Sequence, residues 1–197
     1  MKKSITLNNF NWINKPTGFS IDGNKLTIEP DTGTDLWQRT YYGFRNDNAP
    51  MFLTGIQGDF TFTVKAAFNY QNQYDQCGIV LYENSENWVK TSVEYENEIF
   101  ARLGSVVTNS GYSDWATTDI SAGIQEMWFR ISRRGQDFYI EYSVYGEQFK
   151  QIRVLHFHLP ISAAQIGVYA CSPVKSGFRA TFSEFKFEPC KWEVHNS

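Results

Sequence analysis

Three features of the sequence predict an all-β fold, a two-sheet antiparallel β-sandwich. Short runs alternate apolar with polar residues, turn-forming residues interrupt them at hairpin spacing, and aromatic residues make up 17% of the chain. Alternation with period two places every second side chain on one sheet face. Aromatic and β-branched residues suit a pleated, half-buried surface.

The elements follow in chain order. Phe19-Ser20-Ile21 runs into Asp22-Gly23-Asn24, and Leu26-Thr27-Ile28 runs back. Asp-Gly between such runs marks a tight hairpin, because primed turns need positive φ. Phe60 to Ala66 alternates after Gly58-Asp59, Gly78 to Tyr82 is an apolar run, and Glu83 to Asn87 reads as the turn into Trp88 to Glu96. Ile99 to Thr108 follows, then a stretch from Asn109 to Gly123 rich in Ser, Thr, Gly and Asp, which reads as a long loop. Met127 to Ser132 pairs through Arg134-Gly135-Gln136-Asp137 with Phe138 to Val144. Gly146 opens a turn into Ile152 to Leu159, and Ile166 to Ala170 and Gly177 to Phe187 complete about a dozen strands. A single helical turn is expected at Ser162-Ala163-Ala164-Gln165. Phe60/Phe62/Val64, Phe129/Ile131, Phe138/Ile140/Tyr142/Val144 and Phe182/Phe185/Phe187 are the expected core between the sheets. No repeat or linker divides residues 1–197, which read as one domain.

Composition removes several functions. The formal charge is -3 and no basic stripe exists, which argues against nucleic-acid binding, since phosphates must be neutralised by clustered Lys and Arg. No apolar run approaches the ~18 residues of a membrane span, and Met1-Lys2-Lys3 is followed by no apolar stretch of a secretory signal. Cys77, Cys171 and Cys190 are too widely spaced for a disulfide framework or zinc motif, and a reducing cytoplasm is the expected location. His156 and His158 share a strand face, but no third metal ligand stands near them in sequence, so no metal is expected. No phosphate-cradling loop or nucleophile motif is present, and no cofactor is expected.

Three stretches carry a resemblance: Thr34-Asp35-Leu36-Trp37-Gln38-Arg39-Thr40-Tyr41-Tyr42-Gly43-Phe44; Cys77-Gly78-Ile79-Val80-Leu81 leading to Glu86-Asn87-Trp88-Val89-Lys90-Thr91-Ser92-Val93-Glu94-Tyr95; and Ser105-Val106-Val107-Thr108 closed by Gly111-Tyr112-Ser113-Asp114-Trp115. Together they make the chain resemble the regulation-of-enolase-like family, a domain of unknown function in the concanavalin A-like lectin/glucanase superfamily. The resemblance implies a jelly-roll sandwich without established catalytic residues. In lectins and glucanases of that type the concave sheet face carries the ligand. The family name refers to metabolic regulation, which makes a protein-interaction module contacting a metabolic enzyme one alternative.

On that expectation the strand from Trp88 to Tyr95 supplies a candidate surface. Trp88, Lys90, Ser92 and Glu94 share one side, opposite Val89, Thr91, Val93 and Tyr95. The bland alternative is a solvated face with a Lys–Glu pair worth at most ~1 kcal/mol. Trp128 and Arg130 share a side of their strand, as do Tyr139, Glu141 and Ser143, and strand order decides whether these faces coincide. The expected ligand is a carbohydrate, stacked on Trp37, Tyr82 and Trp88 and hydrogen-bonded by Lys90, Glu94, Arg130 and Glu141. A second alternative is a glycoside hydrolase that uses two of the carboxylates. Glu94-Tyr95-Glu96-Asn97-Glu98 imitates the Glu-x-Asp-x-Glu strand of some glucanases, but Asn97 would have to enter the core, so a turn at Glu96-Asn97-Glu98 is the better reading. Asp114 and Trp115 either rim a sugar site or pin the expected loop, with pinning favoured.

Overall fold

The computed structural model describes residues 6–158 and 164–193. The strands are β1 (Asn11–Ile13), β2 (Gly18–Asp22), β3 (Lys25–Glu29), β4 (Leu36–Gln38), β5 (Arg45–Asp47), β6 (Met51–Ile56), β7 (Phe60–Asn69) and β8 (Gln76–Asn84). They continue as β9 (Asn87–Tyr95), β10 (Phe100–Asn109), β11 (Tyr112–Ser121), β12 (Glu126–Arg134), β13 (Asp137–Ser143), β14 (Lys150–His156), β15 (Ala164–Cys171) and β16 (Arg179–Glu188). Two seven-stranded antiparallel sheets run β1-β6-β15-β8-β9-β10-β11 and β14-β13-β12-β7-β16-β3-β2, and β4 pairs with β5 as a separate hairpin. The expected sandwich is therefore the fold. His195 and the start of the helical turn expected at 162–165 lie outside the described residues, and Ala164 and Gln165 begin β15.

The main core lies between the sheets. Phe60, Phe62, Val64, Phe129, Ile131, Phe138, Ile140 and Phe182 are all buried there, with Tyr142, Val144 and Phe187 partly buried against them. Phe182 and Phe185 are an odd number of residues apart, so strict alternation would send one outward. A bulge between Ser183 and Lys186, with Glu184 at φ 54°, resets the phase and brings both rings inside.

One expectation fails. The stretch from Asn109 to Gly123 is not a long loop, because β10 pairs with β11 from Phe100↔Ser121 to Asn109↔Tyr112. The turn between them is Ser110-Gly111, at φ 50° and 75°, which suits a two-residue primed hairpin. β11 is the edge strand and most of its side chains are exposed, so it has no apolar face to alternate.

Outside the first sheet lies a second apolar cluster. Val80, Trp88, Val106, Tyr169, Cys171, Met51 and Leu53 point away from the main core and are covered by Leu36, Trp37 and Ala49 from the β4–β5 hairpin and its flank. The hairpin thus converts a sheet surface into a third layer, and the functional candidate sits where that cover stops.

Candidate functional site

A cleft of about 420 Å3 opens beside the hairpin, lined by five aromatic and eight polar or charged residues. Trp37, Tyr42 and Phe44 come from the hairpin, Trp115 from β11, and Tyr74 from the loop before β8. The floor is the outward face of β8, β9 and β10, carrying Gln76, Lys90, Ser92, Glu94, Arg102 and Val106. Register explains the grouping, since Glu94 stands opposite Gln76 on one side and Arg102 on the other, and Val106 is opposite both Lys90 and Trp115.

A hydrogen-bond relay fixes the floor. Lys90 Nζ donates to Leu36 O at 2.9 Å and to Gln76 Oε1 at 2.8 Å. Tyr169 OH donates to the same Oε1 at 3.1 Å. With its oxygen so engaged, Gln76 turns its amide Nε2 to donate to Glu94 Oε2 at 2.9 Å. Gln76 itself follows a turn built on buried Asp75, whose Oδ2 accepts from Gln71 N and Asn72 N and whose Oδ1 accepts from Ser172 Oγ.

Burial pushes the Glu94 carboxyl up to about 7. The Lys90 ammonium pulls it back, and the Asp35 and Glu96 charges push it further, against a smaller pull from Arg102. Glu94 is thus partly protonated near neutral pH and offers a donor as well as an acceptor. Arg102 Nε donates to Glu96 Oε2 at 3.0 Å, and its guanidinium lies 5.6 Å from the Trp115 ring centre. Beyond Glu94 the chain does turn: Asn97 Oδ1 accepts from Ile99 N and Phe100 N, so the alternating carboxylate strand ends at Tyr95.

The seven residues expected at the site divide three ways. Trp37, Lys90 and Glu94 line the cleft. Trp88 and Tyr82 share its sheet face but lie under the hairpin: Trp88 is wholly buried, and Tyr82 OH donates to the Asp47 carboxylate at 3.2 Å. Neither ring is available for stacking, because the second cluster covers both. Arg130 and Glu141 do not join them, since β12 and β13 belong to the opposite sheet. There they pair through two hydrogen bonds of 2.7 and 2.6 Å, with the guanidinium 3.9 Å from the Phe149 ring centre. Lys90 also differs from the expected surface donor, being 4% exposed and committed to protein acceptors.

The loop that Asp114 and Trp115 were expected to rim or pin is instead strand β11. Trp115 faces the cleft, and Asp114 holds Arg153 of β14 at 2.7 Å. Asp35, Asn46, Tyr74, Gln76 and Arg102 also line the cleft, and no functional signal in the sequence marked them. His156 pairs with Asp137 at 2.6 Å, and the described residues contain no group of three or more metal-binding side chains. No helix of the described residues is long and apolar enough to cross a membrane.

Comparison with known proteins places this arrangement. Residues 12–190 match a family described as a protein of unknown function, DUF1349. A relative from Saccharomyces cerevisiae named Regulation of enolase protein 1 is 32% identical over 184 residues, covering 93% of this chain and 91% of the relative. A crystal structure of a functionally unknown protein from Saccharomyces cerevisiae superposes with a TM-score of 0.88 at 30% identity, covering 94% of this chain and 98% of that one. A legume lectin-like domain from Entamoeba histolytica superposes with a TM-score of 0.61 at 11% identity, covering 93% and 91%. The GH43 protein BlXynB from Bacillus licheniformis does so at 0.71 and 17% identity, over 92% of this chain but 37% of its own. The last two share the fold alone, a two-sheet β-sandwich.

Proposed function

The chain belongs to the DUF1349 family of unknown function, and from its cleft we propose that it is a carbohydrate-binding protein of a reducing, cytoplasmic compartment. The observation that carries this reading is the composition of the cleft wall. Trp37, Tyr42, Phe44 and Trp115 surround a floor of fixed donors and acceptors in a space the size of a small-ligand site. A sugar presents apolar C–H faces that pack on aromatic rings, and hydroxyls that each need a donor or acceptor. Glu94, able to do both, and Ser92, Asp35, Asn46 and the Glu96–Arg102 pair are the polar contacts in this reading. Lys90 acts behind them by holding Gln76 and tempering the Glu94 charge. Free Cys77, Cys171 and Cys190 suit the proposed compartment.

The test is calorimetric titration with mono- and oligosaccharides against the wild type and Trp115→Ala. Binding that weakens tenfold or more in the variant, about 1.4 kcal/mol, supports the reading. Binding unchanged in Trp115→Ala removes the cleft from consideration.

A second reading, glycoside hydrolysis, is favoured by one observation, the Glu94 carboxyl held near 7 with the Asp35 and Glu96 carboxylates in the same cleft. A carboxyl that retains its proton at neutral pH suits a general acid acting on a leaving oxygen. Release of a chromophore from aryl glycosides, lost in Glu94→Gln, would support it; silence across the panel would leave binding alone.

A further inference from the structure

The residues that close the β4–β5 hairpin are built as no ordinary turn. Arg39, Tyr41 and Gly43 all have positive φ, at 55°, 63° and 77°. Only glycine adopts this region freely, so two of the three work against their side chains. The backbone holds them there: Arg39 N donates to Phe44 O at 2.8 Å, Gly43 N to Arg39 O at 2.7 Å, and Trp37 Nε1 to Thr40 O at 3.1 Å. Arg39 then clamps the turn to the sheet, with Nη1 donating to Glu86 Oε2 at 2.7 Å and to Gly111 O at 2.6 Å.

This effort serves no packing need of the tip. Tyr41 is 94% exposed, Tyr42 53% and Phe44 43%. The rings nevertheless form a chain of contacts that begins inside the cleft. Trp115 meets Trp37 edge-on at 6.2 Å, Trp37 meets Tyr42 at 5.5 Å, Tyr42 stacks on Phe44 at 5.3 Å and meets Tyr41 edge-on at 5.1 Å. Tyr42 and Phe44 line the cleft, and Tyr41, which is not part of the lining, packs edge-on against Tyr42 and is exposed.

We propose that the turn from Thr40 to Phe44 is a second sugar platform outside the cleft, so that the ligand is an oligosaccharide whose outer unit stacks on Tyr41. The inference rests on the carbohydrate reading of the cleft. An exposed aromatic ring next to the wall of a polar cleft has the chemistry to recognise another sugar face, and the Arg39 clamp to Glu86 and Gly111 reduces the ordering cost of the turn that carries it. A protein partner would also find exposed rings attractive, but the chain of contacts runs into the cleft and not across a flat patch.

The experiment is calorimetric titration of the wild type and Tyr41→Ala with β-1,4-linked glucose and xylose oligomers of increasing length, alongside their monosaccharides. Tyr41 packs on almost nothing, so the melting temperature of the variant should match the wild type and certify its fold. The expected result is affinity that rises at least tenfold with chain length in the wild type, and Tyr41→Ala that loses this rise while binding the shortest ligands as before. Affinity independent of length, or length dependence that survives in Tyr41→Ala, overturns the platform and leaves the cleft reading standing. Binding of no saccharide by the wild type overturns the cleft reading, and the platform falls with it.

Discussion

Replacing Glu94 with Gln should flatten the decline in stability between pH 5 and pH 8. The native carboxyl is pushed up to about 7 from an ordinary value of 4.5, so between those limits the folded state holds a proton that the unfolded chain has released. Stability must then fall as pH rises through that window, because the native state binds more protons than the unfolded one. The gap between 4.5 and about 7, at roughly 1.36 kcal/mol per tenfold in proton affinity, sets about 3 kcal/mol as the scale of that fall. In a chain of this size about 3 kcal/mol corresponds to roughly 6–12 °C of melting temperature. Burial also raises the Asp47 and Asp75 carboxyls, which lose stability in the same direction. The useful quantity is therefore the double difference, the pH-dependent change in the wild type minus that in Glu94→Gln, which cancels every other group. Gln at this position still accepts from Gln76 Nε2, so the floor of the cleft survives the change. Thermal melts at pH 5, 6, 7 and 8 suffice. Parallel curves for the two proteins would mean that Glu94 titrates as an ordinary surface carboxylate and gives the cleft no protonated donor.

Trp88→Ala should lower stability by ~3–5 kcal/mol, seen by denaturant titration, because a wholly buried ring leaves a cavity in the second cluster. A loss under 1 kcal/mol would contradict its burial. Gly111→Ala should loosen the hairpin and weaken ligand binding, since a β-carbon there would collide with Arg39 Nη1 and Glu86 Oε2 and sit at a φ of 75°. Arg39 proteolytic protection and saccharide titration read both effects. Arg130→Ala should cost ~2–3 kcal/mol by stranding the largely buried Glu141 carboxylate, yet leave saccharide affinity unchanged, since that pair lies on the other sheet.

The sandwich was legible because its signals are local. Alternation, the Asp22-Gly23 and Arg134-Gly135 turns and the paired core aromatics each need only neighbouring residues, and the hairpins Asp22↔Lys25 and Arg134↔Asp137 close where those turns place them. The site was less legible because it depends on strand order and on a covering layer. The face of Trp88, Lys90, Ser92 and Glu94 was correctly grouped by period two, but its fate is set by Leu36 and Trp37, some fifty residues earlier in the chain, which descend on it and bury Trp88. Arg130 and Glu141 lie on the opposite sheet from Lys90 and Glu94, and alternation within a strand cannot tell one sheet from another. Arg102 and Trp115 reach the cleft through the register of β10 and β11, and an edge strand with little apolar content gives no signal of that register. Tyr41, Tyr42 and Phe44 stand close together in the sequence, but their place beside the cleft follows from the Arg39 clamp, whose partners Glu86 and Gly111 are distant in the chain.

Chemical-shift mapping of the isotopically labelled protein with an oligosaccharide panel tests whether the cleft beside the β4–β5 hairpin is a saccharide site. Saturable shifts are expected at the Trp37 and Trp115 indoles and the backbone of Gln76, Ser92 and Arg102, and are expected to vanish in Trp115→Ala. Shifts confined to the opposite sheet around Arg130 and Glu141, or none with any saccharide, would contradict a saccharide site there.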